Sequence, residues 1–293
     1  MELSVRNVSK RYRDFLALNN VSLTLHPGVI GLLGPNGAGK STLLRILATV
    51  MRPTEGQLTW NGVDLLKHPD ALRQVLGYVP QDFGIYQHLS AVEFLEYIAA
   101  AKGVPRAGLS QRIADLLVMV NLSQVARRPL HTYSGGMRQR VGIAQALLNN
   151  PAVVLMDEPT AGLDPAERVH LRRLLVDLAG DRIVLLSTHI VADIEAVADR
   201  VVVIAKGQIR SDSPPEGLLQ AAHGKVWEGT VSAQAYDALR QSRIISSAVR
   251  RPAGVHIRTV GAAPPAGDFR PVTPTLEDAY LLLLSGELGS DHT

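Results

Sequence analysis

The chain has 293 residues, 46% of them hydrophobic, and its 30 basic and 27 acidic side chains give a formal net charge of +3. This length supplies the core of one large domain and a small one, while the near balance of charge, without a clustered basic stripe, argues against a nucleic-acid partner. The absence of cysteine excludes disulfide bonds and cysteine-ligated zinc. No apolar run approaches the roughly 18 residues that span a bilayer, and the N-terminus lacks the pattern of a signal peptide, so we expect an intracellular chain that does not cross a membrane by itself.

Strand-like segments separated by turns occupy residues 2–28 and 56–63. Trp60-Asn61-Gly62-Val63 has the composition of a hairpin tip. These segments predict an antiparallel sheet in the first part of the chain.

A glycine-rich loop follows the apolar run Val29-Ile30-Gly31-Leu32-Leu33. The pattern G-x-x-x-x-G-K-[ST] is matched by Gly34, Pro35, Asn36, Gly37, Ala38, Gly39, Lys40, Ser41 and Thr42. In such loops the backbone N–H groups and the following helix N-terminus bind phosphate oxygens. The lysine neutralises the β- and γ-phosphates, and the first hydroxyl binds Mg²⁺. Because a strand-like run precedes the loop and helical spacing follows it, we predict a nucleoside triphosphate site in place of an ordinary glycine-rich turn.

Helical periodicity dominates residues 91–148. The predicted apolar faces consist of Val92, Leu95 and Ile98 in one helix and of Leu116, Leu117 and Val120 in another. Ser134-Gly135-Gly136 opens a further helix, which would by itself be an ordinary capped helix. The N-terminus of a helix attracts anions. Since the chain already has a phosphate loop, this second helix N-terminus suggests that two copies of the chain meet, each closing the nucleotide site of the other.

Two adjacent acids follow the apolar, strand-like run Val153-Val154-Leu155-Met156. Asp157 is placed to hold Mg²⁺ through its water shell, and Glu158 to orient or deprotonate a water at the γ-phosphate. Alone, such a pair would be interpreted as a helix cap. The phosphate loop upstream favours the catalytic interpretation.

Broken regularity at residues 211–216 predicts a boundary between a nucleotide-binding domain, 1–212, and an accessory α+β domain, 213–293. The elements predicted for the second domain are strands at 225–232, 244–249 and 255–260, a helix at 233–241, a turn at 251–254 and a loop at 261–267. Thr275-Leu276-Glu277-Asp278 forms the capping box of a final helix that runs through Leu284.

The motifs and their order resemble the ATP-binding cassette of an ABC transporter over about residues 1–212. The resemblance implies an α/β P-loop NTPase fold, with a mixed-sheet core, an antiparallel β subdomain and a helical subdomain. It also implies that Ser134, Gly135 and Gly136 form the signature sequence, which contacts the γ-phosphate bound by the partner subunit. Tyr133 and Met137 stand where the common signature LSGGQ has Leu and Gln. Neither change removes the serine hydroxyl or the glycine N–H donors, so we expect hydrolysis to survive.

Four further residues take their expected roles from this resemblance. Tyr12 corresponds to the aromatic residue that stacks on adenine, and Gln81 to the glutamine that touches Mg²⁺ and the attacking water. Asp164 corresponds to the dimer-contact aspartate, and His189 to the histidine that reaches the γ-phosphate and positions phosphate and base without carrying a proton itself. Outside this context Tyr12 would be a surface aromatic, Gln81 a turn residue and His189 a satisfied polar group.

The apolar residues that follow Gln81 are Phe83, Ile85, Tyr86 and Leu89. Each one singly is more typical of the core, but together they resemble the groove in which cassettes of this family receive a helix from their membrane partner. The signature variation and the Pro274–Tyr280 segment resemble cassettes of ABC-2 type drug, antibiotic and polysaccharide exporters. The C-terminal domain is expected either to stabilise the dimer or to have a regulatory role, and the sequence favours neither of these roles.

The leading hypothesis is an ATPase at the cytoplasmic face of the membrane. It would dimerise around two MgATP, as a homodimer or with a second cassette chain, and drive a separate transmembrane permease in export. The alternative is a soluble ATP-gated interaction protein that transports nothing. An importer is a third possibility, disfavoured by Tyr133, Met137 and the C-terminal tail. No internal repeat is visible, unlike in relatives that act on ribosomes.

Overall fold

The computed structural model describes residues 1–81 and 84–286. The chain divides into two compact units, one spanning Met1–Ser211 and the other beginning at Asp212. Phe83, one of the residues of the predicted groove, lies outside the described residues. In the described ranges no helix is long and apolar enough to cross a membrane.

Among the described residues, ten strands and seven α-helices begin within the first unit. The strands are β1 (Leu3–Tyr12), β2 (Phe15–Leu25), β3 (Gly28–Leu33), β4 (Glu55–Trp60), β5 (Val63–Asp64), β6 (Leu76–Val79), β7 (Val153–Asp157), β8 (Ile183–Thr188), β9 (Arg200–Ala205) and β10 (Gln208–Ser213), which crosses the unit boundary. The helices are α1 (Lys40–Leu47), α2 (Asp70–Arg73), α3 (Ala91–Ala101), α4 (Leu109–Met119), α5 (Gly135–Ala146), α6 (Pro165–Ala179) and α7 (Val191–Glu195).

The antiparallel sheet expected in the first part of the chain is confirmed, with strand order β2-β1-β4-β5. Its predicted hairpin tip lies between β4 and β5. There Asn61 and Gly62 adopt left-handed conformations, with φ of 46° and 84°, as two-residue hairpin turns require.

The central sheet has six strands in the order β10-β9-β3-β8-β7-β6, with β3, β6, β7, β8 and β9 parallel. Every residue of β7 and β8 is buried, which accounts for their nearly continuous apolar sequences. Since the carboxyl ends of parallel strands lie at one edge of a sheet, the segments that follow β3, β6, β7 and β8 emerge there together. The predicted α/β core is therefore confirmed.

The helical segment predicted for residues 91–148 contains α3, α4 and α5. Its α3 starts with a capping box formed by Ser90 and Glu93. The predicted face of α3 is partly wrong, because Val92 and Ile98 are only half-buried. The residues that α3 buries are Ala91, Phe94, Leu95 and Ala99. The buried face of α3 therefore includes Phe94 as well as the predicted Leu95.

The second unit contains α8 (Pro215–Ala221), β11 (Val226–Val231), α9 (Ala233–Ser242), β12 (Ile244–Arg251), β13 (Gly254–Val260), β14 (Phe269–Pro271) and α10 (Leu276–Ser285). Its sheet has the order β12-β13-β11-β14. The predicted α9 helix, the β12–β13 pairing and the Thr275 capping box are confirmed.

Two elements of the second unit were not predicted. Residues 211–216 were expected to be irregular, yet Pro215 occupies the first turn of α8, where the missing proline N–H has no helical partner to lose. The short β14 pairs with β11 at the edge of the sheet, a position that tolerates Pro271.

Candidate functional site

A cavity of about 460 Å³ lies against the glycine-rich loop that joins β3 to α1. Its lining consists of residues 36–42 with Phe15, Ala17, Gln81, Glu158, Ala161 and His189. Gly39, the residue before α1, has a φ of 106°. A Cβ there would lie 2.8 Å from the Ala17 carbonyl oxygen and from Leu18 Cδ2. The turn into the helix therefore requires glycine at this position.

The Lys40 ammonium is buried at the base of this loop, with a side chain 6% exposed. It donates hydrogen bonds to the carbonyl oxygens of Gly34 at 2.7 Å and Pro35 at 3.2 Å. Its Nζ also lies 3.4 Å from Glu158 Oε1. In this arrangement the loop itself and one carboxylate compensate the buried charge.

Asp157 and Glu158 are both buried at the end of β7. Ser187 of β8 holds the pair, since its hydroxyl donates to Asp157 Oδ1 at 2.5 Å and accepts from the Glu158 N–H at 3.3 Å. Glu158 has a φ of 50°, a left-handed conformation that is costly for a residue other than glycine and tends to occur at functional sites. No sequence pattern indicated this role of Ser187.

His189 follows directly after β8, and its ring is about half exposed. Its Nδ1 lies 3.0 and 3.1 Å from the two carboxylate oxygens of Glu158. An ionised carboxylate only accepts hydrogen bonds, so Nδ1 is the donor in these contacts when Glu158 is ionised. Lys40, Gln81, Glu158 and His189 are thus brought together at one cavity, although they lie far apart in the sequence.

Tyr12 does not line this cavity. Its hydroxyl donates to Met51 Sδ at 2.8 Å, and Lys10 Nζ lies 5.4 Å from the centre of its ring. The aromatic residue at the cavity is Phe15, which is 62% exposed and pairs with Tyr12 across the β1–β2 hairpin. Sequence reasoning missed Phe15.

The Ser134-Gly135-Gly136 segment also lies outside the phosphate-loop cavity. Ser134 caps α5 by accepting a hydrogen bond from the Met137 N–H at 3.1 Å. Gly135 lines a separate cavity of about 400 Å³, in which Gln81 also takes part. Within one chain, therefore, this segment does not close the cavity that contains Lys40.

Asp164 caps α6, its Oδ1 accepting a hydrogen bond from the Glu167 N–H at 2.8 Å. Glu167 in turn forms an ion pair with Arg140 of α5 at 2.7 Å. The Ser134 segment and the loop that ends at Asp164 are therefore joined through one ion pair. Sequence reasoning missed both Arg140 and Glu167.

The oxygen donors predicted for the metal are the Ser41 hydroxyl, the Gln81 amide and the Asp157 carboxylate. Such hard oxygen ligands suit Mg²⁺. Ser41 and Gln81 line the cavity, and the position of Asp157 is fixed by Ser187. A single carboxylate is typical of Mg²⁺ sites that are completed by phosphate oxygens and water.

Residues 18–161 match the model of a protein family described as "ABC transporter". The chain is 34% identical over 248 residues to the uncharacterized ABC transporter ATP-binding protein YxlF of Bacillus subtilis, over 84% of this chain and 82% of YxlF. It is 36% identical to the Nod factor export ATP-binding protein I of Cupriavidus metallidurans, over 76% of this chain and 74% of that protein. It is 32% identical to the probable multidrug ABC transporter ATP-binding protein YbhF of Escherichia coli, over 97% of this chain but 52% of YbhF. The chain thus spans about half the length of YbhF.

Solved structures of the same class share the fold. An ATP-binding subunit of an ABC transporter superposes with a TM-score of 0.69 at 30% identity, over 75% of this chain and 92% of that one. The dimeric bacterial ABC transporter cassette MJ0796 gives a TM-score of 0.67 at 28% identity, over 72% of this chain and 98% of that one. A second MJ0796 structure represents a post-hydrolysis state bound to ADP and Pi.

The fold and the phosphate-loop site together define a P-loop ATPase. The chain belongs to the ATP-binding proteins of ABC transporters, and the predicted family, fold and ATPase class are confirmed.

Proposed function

We propose that this chain is the ATP-hydrolysing subunit of an ABC exporter, which dimerises around two MgATP and drives a separate transmembrane permease. The observation that carries the proposal is the convergence of Lys40, Gln81, Glu158 and His189 on one cavity beside the phosphate loop. The dimeric cassette MJ0796 supports a two-subunit assembly, with a homodimer as the simplest form. The names of YbhF and of the Nod factor export protein support export.

The proposed nucleotide contacts follow from the chemistry of the cavity. Backbone N–H groups of residues 36–42 bind the phosphates, and Lys40 exchanges the Gly34 and Pro35 carbonyls for the β- and γ-phosphates. Tyr12 is proposed to stack on adenine. Mg²⁺, held by Ser41, Gln81 and Asp157, supplies charge neutralisation at the phosphates when bound.

Glu158 is the proposed general base. Its carboxylate contacts Lys40 and His189. A triphosphate carries more negative charge than one carboxylate, so both partners are attracted toward it, and Glu158 is freed to accept a hydrogen bond from water. His189 then positions the γ-phosphate and need not carry a proton itself.

The second subunit supplies the remaining contacts. Because Ser134, Gly135 and Gly136 lie outside the cavity of their own chain, we propose that they contact the γ-phosphate bound by the partner, with Asp164 at the subunit contact. Residues 1–212 form the nucleotide-binding domain in this proposal. Residues 213–293 form an accessory domain that either stabilises the dimer or has a regulatory role.

A tyrosine pair supports permease docking at the helical segment. The rings of Tyr86 and Tyr97 meet edge to face, 5.0 Å between centroids, and their hydroxyls are 3.2 Å apart. Both rings are about half exposed, and with Ile85 and Leu89 they line a cavity of about 540 Å³. An apolar helix with polar edges fits such a groove, and its binding would hold the chain at the cytoplasmic face of the membrane.

Capture of the tagged full chain from its own cells in mild detergent tests this function, with Glu158→Gln to hold the ATP state. Recovery of a polytopic membrane protein by mass spectrometry is expected. Tyr86→Ala should abolish that recovery. Val176→Ser, which changes an exposed apolar residue elsewhere, on α6, should leave the recovery unchanged. If only soluble partners appear across detergents, the ATP-gated interaction protein becomes the better account.

A further inference from the structure

Asp193 of α7 is a buried carboxylate four residues after His189, and it is only 1% exposed. Its Oδ1 accepts a hydrogen bond from Arg172 Nη2 at 2.9 Å. Its Oδ2 has no hydrogen-bond partner, although it is buried. The neighbouring cation is Arg168, whose Nη1 lies 4.0 Å from that oxygen. An unbonded oxygen on a buried carboxylate is costly and calls for a physical explanation.

Arg168 reaches in the opposite direction as well. Its Nε donates to the Leu163 carbonyl oxygen at 3.3 Å, and Leu163 is the residue before Asp164. A single guanidinium therefore spans from the Asp164 loop to the buried carboxylate. Because Arg172 already holds the other carboxylate oxygen, closer approach of Arg168 would give the unbonded oxygen a hydrogen-bond donor.

The segment between Asp193 and His189 is short and tightly bonded. The Asp193 N–H donates to the Ile190 carbonyl at 3.2 Å, and the Ile190 N–H donates to Thr188 Oγ1 at 3.0 Å. Since α7 has only five residues, tertiary contacts set its position, because so short a helix is not stable by itself. Asp193 and His189 are therefore linked by a short, hydrogen-bonded segment.

We propose that Arg168 and Asp193 are positioning residues, which couple the loop that carries Asp164 to His189 inside one subunit. This inference rests on the proposed function, in which Asp164 contacts the second subunit. Dimer contact that shifts the Leu163 carbonyl moves the Arg168 guanidinium toward the unbonded Asp193 oxygen. The α7 helix and His189 follow, so that assembly of the dimer sets the position of His189 against Glu158.

The test measures steady-state phosphate release by the full chain over a range of ATP concentrations, with the ATP dissociation constant and the melting temperature of each variant. Arg168→Gln is the principal variant because it leaves the Arg172–Asp193 pair intact. It should lower kcat about tenfold and leave the ATP dissociation constant within about twofold of the wild-type value. Arg173→Gln, an exposed α6 neighbour, is the matched control and should leave kcat unchanged.

A double-mutant cycle provides the second readout. Asp193→Asn should lower kcat to a similar extent, and the Arg168→Gln/Asp193→Asn double variant should be no slower than the worse single variant, since both residues act through one contact. Wild-type kcat in Arg168→Gln, or multiplicative losses in the double variant, would overturn the inference. Parallel losses of melting temperature, ATP affinity and kcat would also overturn it, because they indicate a purely structural role. If the wild-type chain itself releases no phosphate, the proposed function fails instead.

Discussion

The Glu158 carboxylate and the His189 imidazole face each other, with Nδ1 at 3.0 and 3.1 Å from the two carboxylate oxygens. Lys40 approaches the same carboxylate from the phosphate loop at 3.4 Å. The carboxylate proposed as the general base is therefore engaged by two side chains. In the proposed function both contacts are exchanged for contacts with the triphosphate, which would link catalysis to nucleotide binding.

Glu158→Gln should lower ATP turnover by at least about 100-fold, because the amide cannot accept a proton from water. ATP binding should persist, and a dimer should accumulate with ATP and Mg²⁺. Phosphate release and size-exclusion chromatography measure the two effects. Glu96→Gln, at an exposed position on α3, is the control and should behave as wild type. Turnover at the wild-type rate in Glu158→Gln would remove this residue from the role of base.

Substitutions of the two adjacent glycines in the Ser134 segment distinguish a role in folding from a role in contact between subunits. A Cβ on Gly136 would overlap the Glu167 carboxylate and lie 3.1 Å from Leu163 Cδ2, whereas one on Gly135 meets no atom within 4 Å. Gly136→Ala should therefore destabilise the monomer by about 1–3 kcal/mol and weaken the Arg140–Glu167 pair. Gly135→Ala should leave monomer stability unchanged.

Denaturant unfolding without nucleotide measures the stability of both glycine variants. ATPase assays should nevertheless show losses for both, because each glycine is proposed to face the partner's γ-phosphate. Full ATPase activity in Gly135→Ala would count against that contact.

The two aromatic residues of the β1–β2 hairpin allow a direct comparison. Tyr12→Ala should raise the ATP dissociation constant about tenfold, since stacking of a base on an aromatic ring contributes about 1–3 kcal/mol. Phe15→Ala should have an effect of less than about threefold, because the stacking on adenine is proposed for Tyr12 and not for Phe15. Titration with a fluorescent ATP analogue measures both constants. A larger effect of Phe15→Ala would transfer the adenine-stacking role to Phe15.

An ion-pair cluster fastens α10 to the sheet of the second unit. Arg258 Nη2 donates to Asp278 Oδ2 at 2.7 Å, and Arg258 Nη1 donates to Glu228 Oε1 at 2.7 Å. Burial raises the pKa of Asp278, but the hydrogen bonds that its carboxylate accepts from Arg258, Thr275 and Ser246 outweigh this and leave that pKa below its ordinary value of 3.8. The ionised carboxylate therefore stabilises the folded state. This contribution is fully present above about pH 4 and is lost as the pH falls through the lowered pKa.

Asp278→Asn should reduce the unfolding free energy of the second unit by about 3 kcal/mol, because it leaves Arg258 without its buried partner. It should also remove most of the acid sensitivity below about pH 4. Fluorescence of Trp227 in a Trp60→Phe background reports on this unit alone, since the chain has two tryptophans. Asp237→Asn, in an exposed pair with Arg240, should change stability by less than about 0.5 kcal/mol. Equal effects of the two substitutions would contradict this role of the cluster.

Much of the fold was predictable because it depends on local sequence patterns. The glycine-rich loop, the apolar runs before Gly34 and Asp157, and the capping box at Thr275 depend on neighbours in sequence, and the structure has them where they were expected. The face of α3 and the existence of α8 were mispredicted. The first depends on what packs against the helix, and the second on whether a proline-rich segment begins a helix or interrupts one.

The sequence by itself determined the phosphate loop, the acidic pair and the ATP-binding class of the chain, since spacing along the backbone fixes those chemical groups relative to one another. Only the tertiary structure decided that Ser187 holds Asp157 and Glu158, that Phe15 and not Tyr12 lines the cavity, and that Arg168 connects Leu163 to Asp193. These contacts join residues from different strands and helices. Their partners are chosen by the order of strands in the sheet and by side-chain packing, which no local pattern records.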